Sequence, residues 1–182
     1  AFELPKEPSG AYRFRANYFL TGQQLGGCFR VIPSSIPDFV WAGFPKELAH
    51  RLAHFRNGLV LFTGVAGSGK TTSLAMIVEL LNQQGGYRII TVEEPVEYRF
   101  PRRPHSVVTQ REVGLDVLTF ADGLKFGLRQ DPDVILAGEI RDRDTAQMAL
   151  SAAETGHLVF STMHTRDAKG AISRYADLFP QS

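Results

Sequence analysis

The sequence has only one cysteine, Cys28, among its 182 residues. A single cysteine excludes an internal disulfide framework and a cysteine-based zinc site, and it favours a reducing compartment. No apolar run approaches the roughly 20 residues that a membrane-spanning helix requires, and no signal-peptide pattern opens the chain. Neither sign of charge predominates, because 20 basic and 19 acidic side chains leave a net charge of +1. No global field therefore marks a nucleic-acid or membrane-surface binder, and we expect a soluble, cytoplasmic protein.

What is present is the composition of a folded globular protein. The chain is 43% hydrophobic and 10% aromatic, which excludes disorder along its whole length because disordered chains contain few such residues. Its length fits one domain, or one domain carrying part of a second.

The first residues differ in pattern from the rest. In residues 1–32, aromatic and apolar residues recur at strand-like spacing and glycines such as Gly22 supply turns. We expect two or three short antiparallel strands there, too few to bury a core alone. Residues 33–45 contain three prolines, Pro33, Pro37 and Pro45. Because proline also restricts the residue before it, we interpret this segment as a linker.

From residue 46 to residue 182 the pattern alternates between strands and helices. The predicted strands, which are apolar runs typical of buried parallel strands, are 58–63, 87–92, 134–137 and 157–162. The predicted helices are 46–56, 70–84, 119–130 and 142–155. Gly123 and Gly127 fall in one of them, and each would cost about 1 kcal/mol relative to alanine. The alternation predicts an α/β fold with a mostly parallel sheet and helices on both faces.

The segment Gly64–Thr71 reads GVAGSGKT and matches the phosphate-binding pattern G-x-x-x-x-G-K-[ST]. An apolar strand precedes it and an amphipathic helix follows it, as the pattern requires, whereas a chance Lys-Thr pair after a glycine-rich turn is the alternative. Backbone N–H groups of such a loop surround phosphate oxygens, and the helix N-terminus adds its positive dipole. We expect Lys70 to contact the β- and γ-phosphates and Thr71 to bind Mg²⁺. The other residues expected to bind the nucleotide are Gly64, Val65, Ala66, Gly67, Ser68, Gly69 and Thr72.

Polar residues follow three of the predicted strands. They are Glu93, Glu94 and Glu97 after the second strand, Glu139 after the third and His164 after the fourth. Because ligands of parallel α/β sheets lie outside the carboxyl ends of the strands, we expect these side chains beside the nucleotide. Carboxylates and imidazoles can orient or deprotonate water and sense a γ-phosphate. A solvated acidic loop and purely structural histidines are the alternatives.

Four segments in this order resemble the motor ATPases of type IV pili and type II secretion, and most closely the twitching-motility pilus retraction ATPases. They are GVAGSGKTT, the acidic segment TVEEPVEY, the Walker B region DPDVILAGEIRD and the histidine segment TGHLVFSTMHT. QREVGLD, between the second and third, resembles retraction motors more than assembly or secretion motors. The similarity runs from YRFRANYF to ISRYADLFP and thus covers nearly the whole chain. It implies a RecA-like P-loop ATPase core preceded by part of a small β-rich N-terminal domain.

The resemblance implies a function for each matching acidic residue. Glu97 corresponds to the catalytic glutamate of the acidic segment, which polarises the attacking water. Glu93 and Glu94 support the metal shell, and Glu139 corresponds to the Walker B glutamate that serves both catalysis and the metal. The usual acidic segment has Glu-Asp-Pro, so Glu94 is one methylene longer than the family pattern, and the family also favours alanine where Gly123 and Gly127 stand.

The histidines and three arginines match the family as well. His157 and His164 correspond to the two histidines of the histidine segment, and His164 is the expected phosphate sensor. Arg13, Arg15 and Arg30 fall where the family's N-terminal domain supplies arginines to a nucleotide, with ordinary exposed strand arginines as the alternative. Such an arginine neutralises charge in the transition state and couples hydrolysis to domain movement.

A basic stretch from Arg99 to Arg111 is interpreted as a solvated or intersubunit loop. Nucleic-acid contact is the alternative, which is disfavoured because no aromatic residue beyond Phe100 is interleaved there to stack on bases.

Together these patterns predict an ATP-hydrolysing, hexameric motor that powers type IV pilus retraction, with ATP and Mg²⁺ as cofactors. The resemblance implies a homo-hexamer on the cytoplasmic face of an inner-membrane platform protein, without insertion into the membrane. The alternatives are a pilus assembly, type II secretion or type IV and conjugative secretion ATPase, a small-molecule P-loop kinase, and a nucleotide-binding regulator that does not hydrolyse. Because the family's N-terminal domain and C-terminal helices extend further, we expect the chain to be a fragment.

Overall fold

The chain begins with a three-stranded antiparallel sheet. The computed structural model describes residues 2–4 and 12–179, and the sheet contains β1 (Phe2–Leu4), β2 (Tyr12–Thr21) and β3 (Gln24–Ile32) in that order. β2 and β3 form a hairpin that pairs Arg15 with Arg30. Large apolar side chains of the hairpin such as Leu20 are exposed, as expected for a sheet with too few strands to bury a core. The predicted antiparallel strands are confirmed.

The five remaining strands form one parallel sheet. They are β4 (Gly58–Thr63), β5 (Arg88–Glu93), β6 (Val107–Glu112), β7 (Val134–Ala137) and β8 (Leu158–Met163). The order across the sheet is β4-β8-β7-β5-β6, and every pairing is parallel. The central strands β5, β7 and β8 are buried along almost their whole length, which explains their continuous apolar sequences.

The edge strand β6 was not predicted from the sequence. Arg111 lies in this strand, whereas the sequence pattern placed it in a loop. The sequence VVTQRE is too polar for the apolar-run criterion, because an edge strand pairs with one neighbour only and need not be buried on both faces.

Helices cover both faces of the sheet, as predicted. One face carries α1 (Lys46–Ala53) and α2 (Lys70–Gln84), whose residues such as Leu74 and Leu81 share a core with Ile89 and Phe160. The other face carries α3 (Phe120–Gly127), α4 (Arg143–Glu154) and α5 (Ala168–Ala176). Residues Leu128–Gln130 continue α3 as a 3₁₀ turn. Sequence reasoning does not predict α5, and it predicts the other four helices to within a few residues at each end.

Side-chain caps determine where the helices of the second face begin. Thr119, Asp142 and Asp167 each accept a hydrogen bond from the backbone N–H three residues later, which satisfies a donor that the helix leaves unpaired. In the segment 33–45, the ring of Phe44 stacks on Phe62 of β4. Within the described part of the chain, no helix combines the length and apolar character that crossing a membrane requires.

Candidate functional site

The phosphate-binding segment lies between β4 and α2, at the carboxyl end of the sheet. Gly69 caps the start of α2 with φ of +87°, and Gly64 follows β4 with φ of +152°. A Cβ at Gly64 would lie 2.5 Å from Ser68 Oγ, so the close approach of the loop to itself requires glycine there. The loop presents the N-terminus of a 15-residue helix, whose free N–H groups and dipole attract anions.

Lys70 is held inside this loop. The residue is 9% exposed, and its Nζ donates hydrogen bonds to the carbonyl oxygens of Gly64 at 2.7 Å and Val65 at 2.9 Å. Both acceptors are backbone carbonyls, which a phosphate oxygen can replace as partners of the ammonium group.

A cleft of about 340 Å³ opens beside the loop, within the size range of small-molecule sites. It lies where the carboxyl ends of β5, β7 and β8 meet, which is the expected ligand position in a parallel sheet. The predicted site residues that line it are Arg15, Arg30, Ala66, Gly67, Gly69, Lys70, Thr71, Thr72, Glu93, Glu94, Glu97, Glu139 and His164. The structure thus brings most of the predicted residues together.

Other predicted residues lie elsewhere. Gly64, Val65 and Ser68 belong to the loop without lining the cleft. Arg13 donates hydrogen bonds to backbone carbonyls of the acidic segment, as described below. His157 precedes β8, at the amino end of the sheet, and its Nδ1 lies 3.0 Å from the carbonyl oxygen of Ala152. Since all strands run in the same direction, this end is opposite the phosphate-binding loop, and the structure does not bring His157 to the cleft.

Glu139 is the centre of an ionic cluster after β7. Its Oε1 accepts from Arg141 Nη2 at 2.5 Å, and its Oε2 lies 3.5 Å from His164 Nε2. Arg141 also donates from Nη1 to Glu94 Oε2 at 3.2 Å. The hydrogen bond to Glu139 raises the pKa of Arg141 further above its ordinary value, so this guanidinium is a permanent cation between two carboxylates.

Arg141 and Tyr98 also line the cleft, and sequence reasoning assigned neither of them a function. The position of Arg141 could have indicated a function, because Arg141, like Glu139, follows the buried strand β7. Tyr98, which is 5% exposed, places its hydroxyl 3.0 Å from Thr72 Oγ1. No local pattern indicates this contact, since it joins the acidic segment to the first turn of α2, 26 positions earlier.

Glu93, at the end of β5, is buried in the protein. Its Oε1 accepts hydrogen bonds from Thr91 Oγ1 at 2.6 Å and from Gln110 Nε2 at 3.2 Å. Burial raises the pKa of this carboxyl above its ordinary value of 4.5, and the two hydrogen bonds offset only part of the effect. The charge of neighbouring Glu97 raises the pKa of Glu93, whereas the backbone of Glu97 lowers it through a hydrogen bond.

Glu97 lies on a loop whose backbone is fixed from two sides. Arg13 of the hairpin donates from Nη2 to the carbonyl oxygen of Glu97, and from Nη1 to that of Val96 at 2.9 Å. Glu112 of β6 accepts from the N–H of Val96 at 3.0 Å. The half-buried Glu97 therefore enters the cleft from an ordered backbone.

Arg15 and Arg30 are direct cross-strand partners on the hairpin, and both line the cleft. Like charges in this position repel each other and destabilise a hairpin. An anion in the cleft removes this repulsion, so the pair indicates an anionic ligand.

The donor set fits ATP and Mg²⁺. The phosphate-binding loop, Lys70 and the arginine pair suit a triphosphate. Thr71 and Glu139 offer the oxygen ligands that Mg²⁺ prefers, and among the described residues none forms a hydrogen bond with the buried Glu139 Oε2. In the part of the chain that the structure describes, no three His, Cys, Asp or Glu residues form a metal site.

Comparison with known proteins gives consistent matches. Residues 38–181 match the family described as Type II/IV secretion system protein. The uncharacterized protein YggR of Escherichia coli K12 is 46% identical over 168 residues, which are 92% of this chain and 51% of YggR. The type IV pilus retraction ATPase PilT of Pseudomonas aeruginosa is 44% identical over 180 residues, which are 99% of this chain and 51% of PilT. The crystal structure of the pilus retraction motor PilT with bound ADP matches with a TM-score of 0.88 and 46% identity, over 98% of this chain and 51% of that one.

The chain spans about half the length of these relatives. The match to PilT includes the small antiparallel sheet as well as the parallel one, and it confirms the predicted α/β fold and the resemblance of the four segments. The chain belongs to the Type II/IV secretion system protein family.

Proposed function

We propose that this protein is an ATP-hydrolysing motor that powers the retraction of type IV pili. It works as a homo-hexamer at the cytoplasmic face of an inner-membrane platform protein, peripheral to the membrane. The observation that supports ATP hydrolysis is the cleft, where Lys70, Glu97, Glu139 and His164 come together from four separate segments. The similarity to a retraction ATPase over 99% of the chain supports retraction rather than another motor function.

ATP binds with its phosphates on the loop before α2. The Lys70 ammonium exchanges a backbone carbonyl for phosphate oxygens, and Arg15 and Arg30 approach the same phosphates from the hairpin. Thr71, Glu94 and Glu139 would hold Mg²⁺, which would supply positive charge to offset that of the phosphates.

Hydrolysis transfers the γ-phosphoryl group to water. Glu97 orients the attacking water and accepts its proton, the new bond forms between the water oxygen and the γ-phosphorus, and the bond to the β–γ bridging oxygen breaks to release ADP. His164 contacts the γ-phosphate and senses its presence, and the hydrogen-bonding cluster around Glu139 keeps that carboxylate at the cleft. The arginines neutralise charge that moves toward the leaving oxygen.

Coupling to movement follows from where the arginines lie. Arg15 and Arg30 belong to the small sheet, whereas Lys70 and Glu139 belong to the core. The γ-phosphate attracts the two arginines of the small sheet and Lys70 of the core, so its loss weakens the attraction between the two sheets and shifts their relative position.

Phosphate release tests the activity. We expect Lys70→Ala and Glu139→Gln to lower kcat by roughly 100-fold or more, as removal of a group that stabilises transition-state charge does. Glu154→Gln, on the exposed end of α4, is the matched control and should retain activity. Unchanged turnover in both cleft variants would refute the proposal, and release that requires an added acceptor would indicate a kinase.

A deletion strain tests the machine that the motor serves. Loss of retraction leaves surface pili in place and abolishes surface motility. Loss of the pili themselves would indicate an assembly motor, and retention of both would indicate a secretion motor. Sedimentation of the intact protein with ATP tests the hexamer.

A further inference from the structure

The edge strand β6 holds the loop that carries Glu97. Gln110 in this strand uses its whole amide group for that purpose. Its Oε1 accepts from the N–H of Phe100 at 3.0 Å, and its Nε2 donates to the carbonyl oxygen of Tyr98 at 2.8 Å. The same Nε2 donates to Oε1 of the buried Glu93 at 3.2 Å. One side chain thus joins Glu93, before the loop, to Tyr98 and Phe100 after it.

The segment held by Gln110 also reaches the first turn of α2, directly after the phosphate-binding loop. The hydroxyl of Tyr98 lies 3.0 Å from Thr72 Oγ1, one residue after the predicted magnesium ligand Thr71. Tyr98 is 5% exposed, so packing fixes its ring while Gln110 fixes its backbone. The distance between Glu97 and the phosphates therefore depends on hydrogen bonds that pass through Tyr98.

An amide is the group that these three contacts require. It accepts on its oxygen and donates twice from its nitrogen. A leucine of similar size does neither, and an ionised glutamate accepts but does not donate. Glutamate would also place a negative charge beside the Glu93 carboxyl, where like charges repel.

We propose that Gln110 is a positioning residue for ATP hydrolysis, which sets the place of the Glu97 carboxylate relative to the phosphate-binding loop. This inference rests on the proposed function. Gln110 does not line the cleft, so it acts through the backbone of the acidic segment and not by contact with the nucleotide. Its loss misplaces Glu97 while the loop around Lys70 keeps its own contacts. The rate of hydrolysis falls and nucleotide binding does not.

The experiment measures kcat and KM for ATP in the intact protein, together with the affinity for a fluorescent ADP analogue. We expect Gln110→Leu to lower kcat by roughly tenfold to 100-fold, since misplacement of a reacting group by about 1 Å has effects of this size. The KM and the affinity for the analogue should stay within about twofold, as expected when only transition-state contacts are lost. Gln147→Leu, an exposed position on α4, is the control for the substitution itself.

Gln110→Glu tests the donor function separately and covers the case in which Gln110→Leu does not fold. It keeps the acceptor for Phe100 and loses both donated hydrogen bonds, so we expect the same loss of kcat with binding unchanged. If kcat of Gln110→Glu stays within about twofold of the unaltered protein, the inference is wrong. An equal loss of analogue affinity and of kcat would also overturn it, because that result indicates general disruption of the cleft. If the unaltered protein releases no phosphate, the proposed function fails, and this inference fails with it.

Discussion

Two glycines of α3, four residues apart, differ in what surrounds them. A Cβ on Gly123 would lie 2.6 Å and 2.8 Å from the two γ-carbons of Val92. Val92 is fully buried in β5, and its β-branched side chain is stiff about χ1. A Cβ on Gly127 would lie 3.4 Å and 3.6 Å from carbons of Ile90, which is ordinary van der Waals contact. The close helix–sheet packing is therefore at Gly123.

These distances give the same substitution opposite effects at the two positions. Alanine gains about 1 kcal/mol over glycine in a helix, and this gain applies to both. At Gly127 nothing opposes the gain, so we expect Gly127→Ala to raise the free energy of unfolding by about 1 kcal/mol. At Gly123 the overlap with Val92 costs ~1–3 kcal/mol, and we expect a net loss of about 1 kcal/mol.

Urea unfolding followed by far-UV circular dichroism measures both changes. The difference between the two variants should be about 2 kcal/mol in the free energy of unfolding, with the unaltered protein between them. The Tm should move by roughly 2–4 °C per kcal/mol for a chain of this size. The double variant Gly123→Ala with Val92→Ala removes both methyl groups that clash, so its loss should be smaller than the sum of the two single losses.

A Gly123→Ala variant as stable as the unaltered protein would refute this packing argument. Strict additivity with Val92→Ala would refute it as well, because residues that overlap must show an interaction energy.

Three further predictions concern the cleft and its support. Arg13→Ala should lower kcat at unchanged KM because Arg13 binds the backbone of the acidic segment, whereas Arg15→Ala should raise the KM for ATP; steady-state kinetics would contradict this if both variants behaved alike. Glu93→Gln should raise the free energy of unfolding at neutral pH, because burial raises the pKa of this carboxyl in the folded state and ionisation therefore opposes folding. The gain should shrink as the pH falls toward 4.5, the ordinary value, and urea titrations that show a constant gain would argue against it. Arg103→Met should destabilise the fold by about 1 kcal/mol, because Arg103 Nη2 donates to Oε1 of the largely buried Glu79 at 2.5 Å. Unfolding curves unchanged from those of the unaltered protein would contradict a stabilising effect of this ion pair.

Much of the fold can be predicted from local sequence pattern. The helix predicted over 70–84 has these bounds in the structure, and the strands over 58–63 and 134–137 also agree. The helix has apolar residues at helical spacing because one face packs on the sheet, and the two strands are continuous apolar runs because helices cover both faces of the sheet. β6 and α5 are not predicted, since an edge strand and a mostly exposed helix need few apolar residues.

The candidate site also contains residues that the sequence predicts correctly and one that the structure places elsewhere. The rule that ligands lie at the carboxyl ends of parallel strands selects Glu93, Glu94, Glu97, Glu139 and His164, all of which line the cleft. By the same rule, His157 lies at the opposite end of the sheet, because it precedes β8. Family resemblance alone brought His157 into the predicted set, and the functions of all these residues stay predictions until they are measured.

The sequence by itself determines the features that depend on a few neighbouring residues and on the direction of the chain. These are the phosphate-binding loop, the amphipathic helix after it and the residues that leave each strand at its carboxyl end. Only the tertiary structure shows Arg141 between two carboxylates, Gln110 on the acidic segment, and the hairpin arginines in the cleft. The contacts of Arg141 with Glu94 and of Gln110 with Tyr98 join residues 47 and 12 positions apart. They depend on strand order and side-chain packing, which local pattern does not specify.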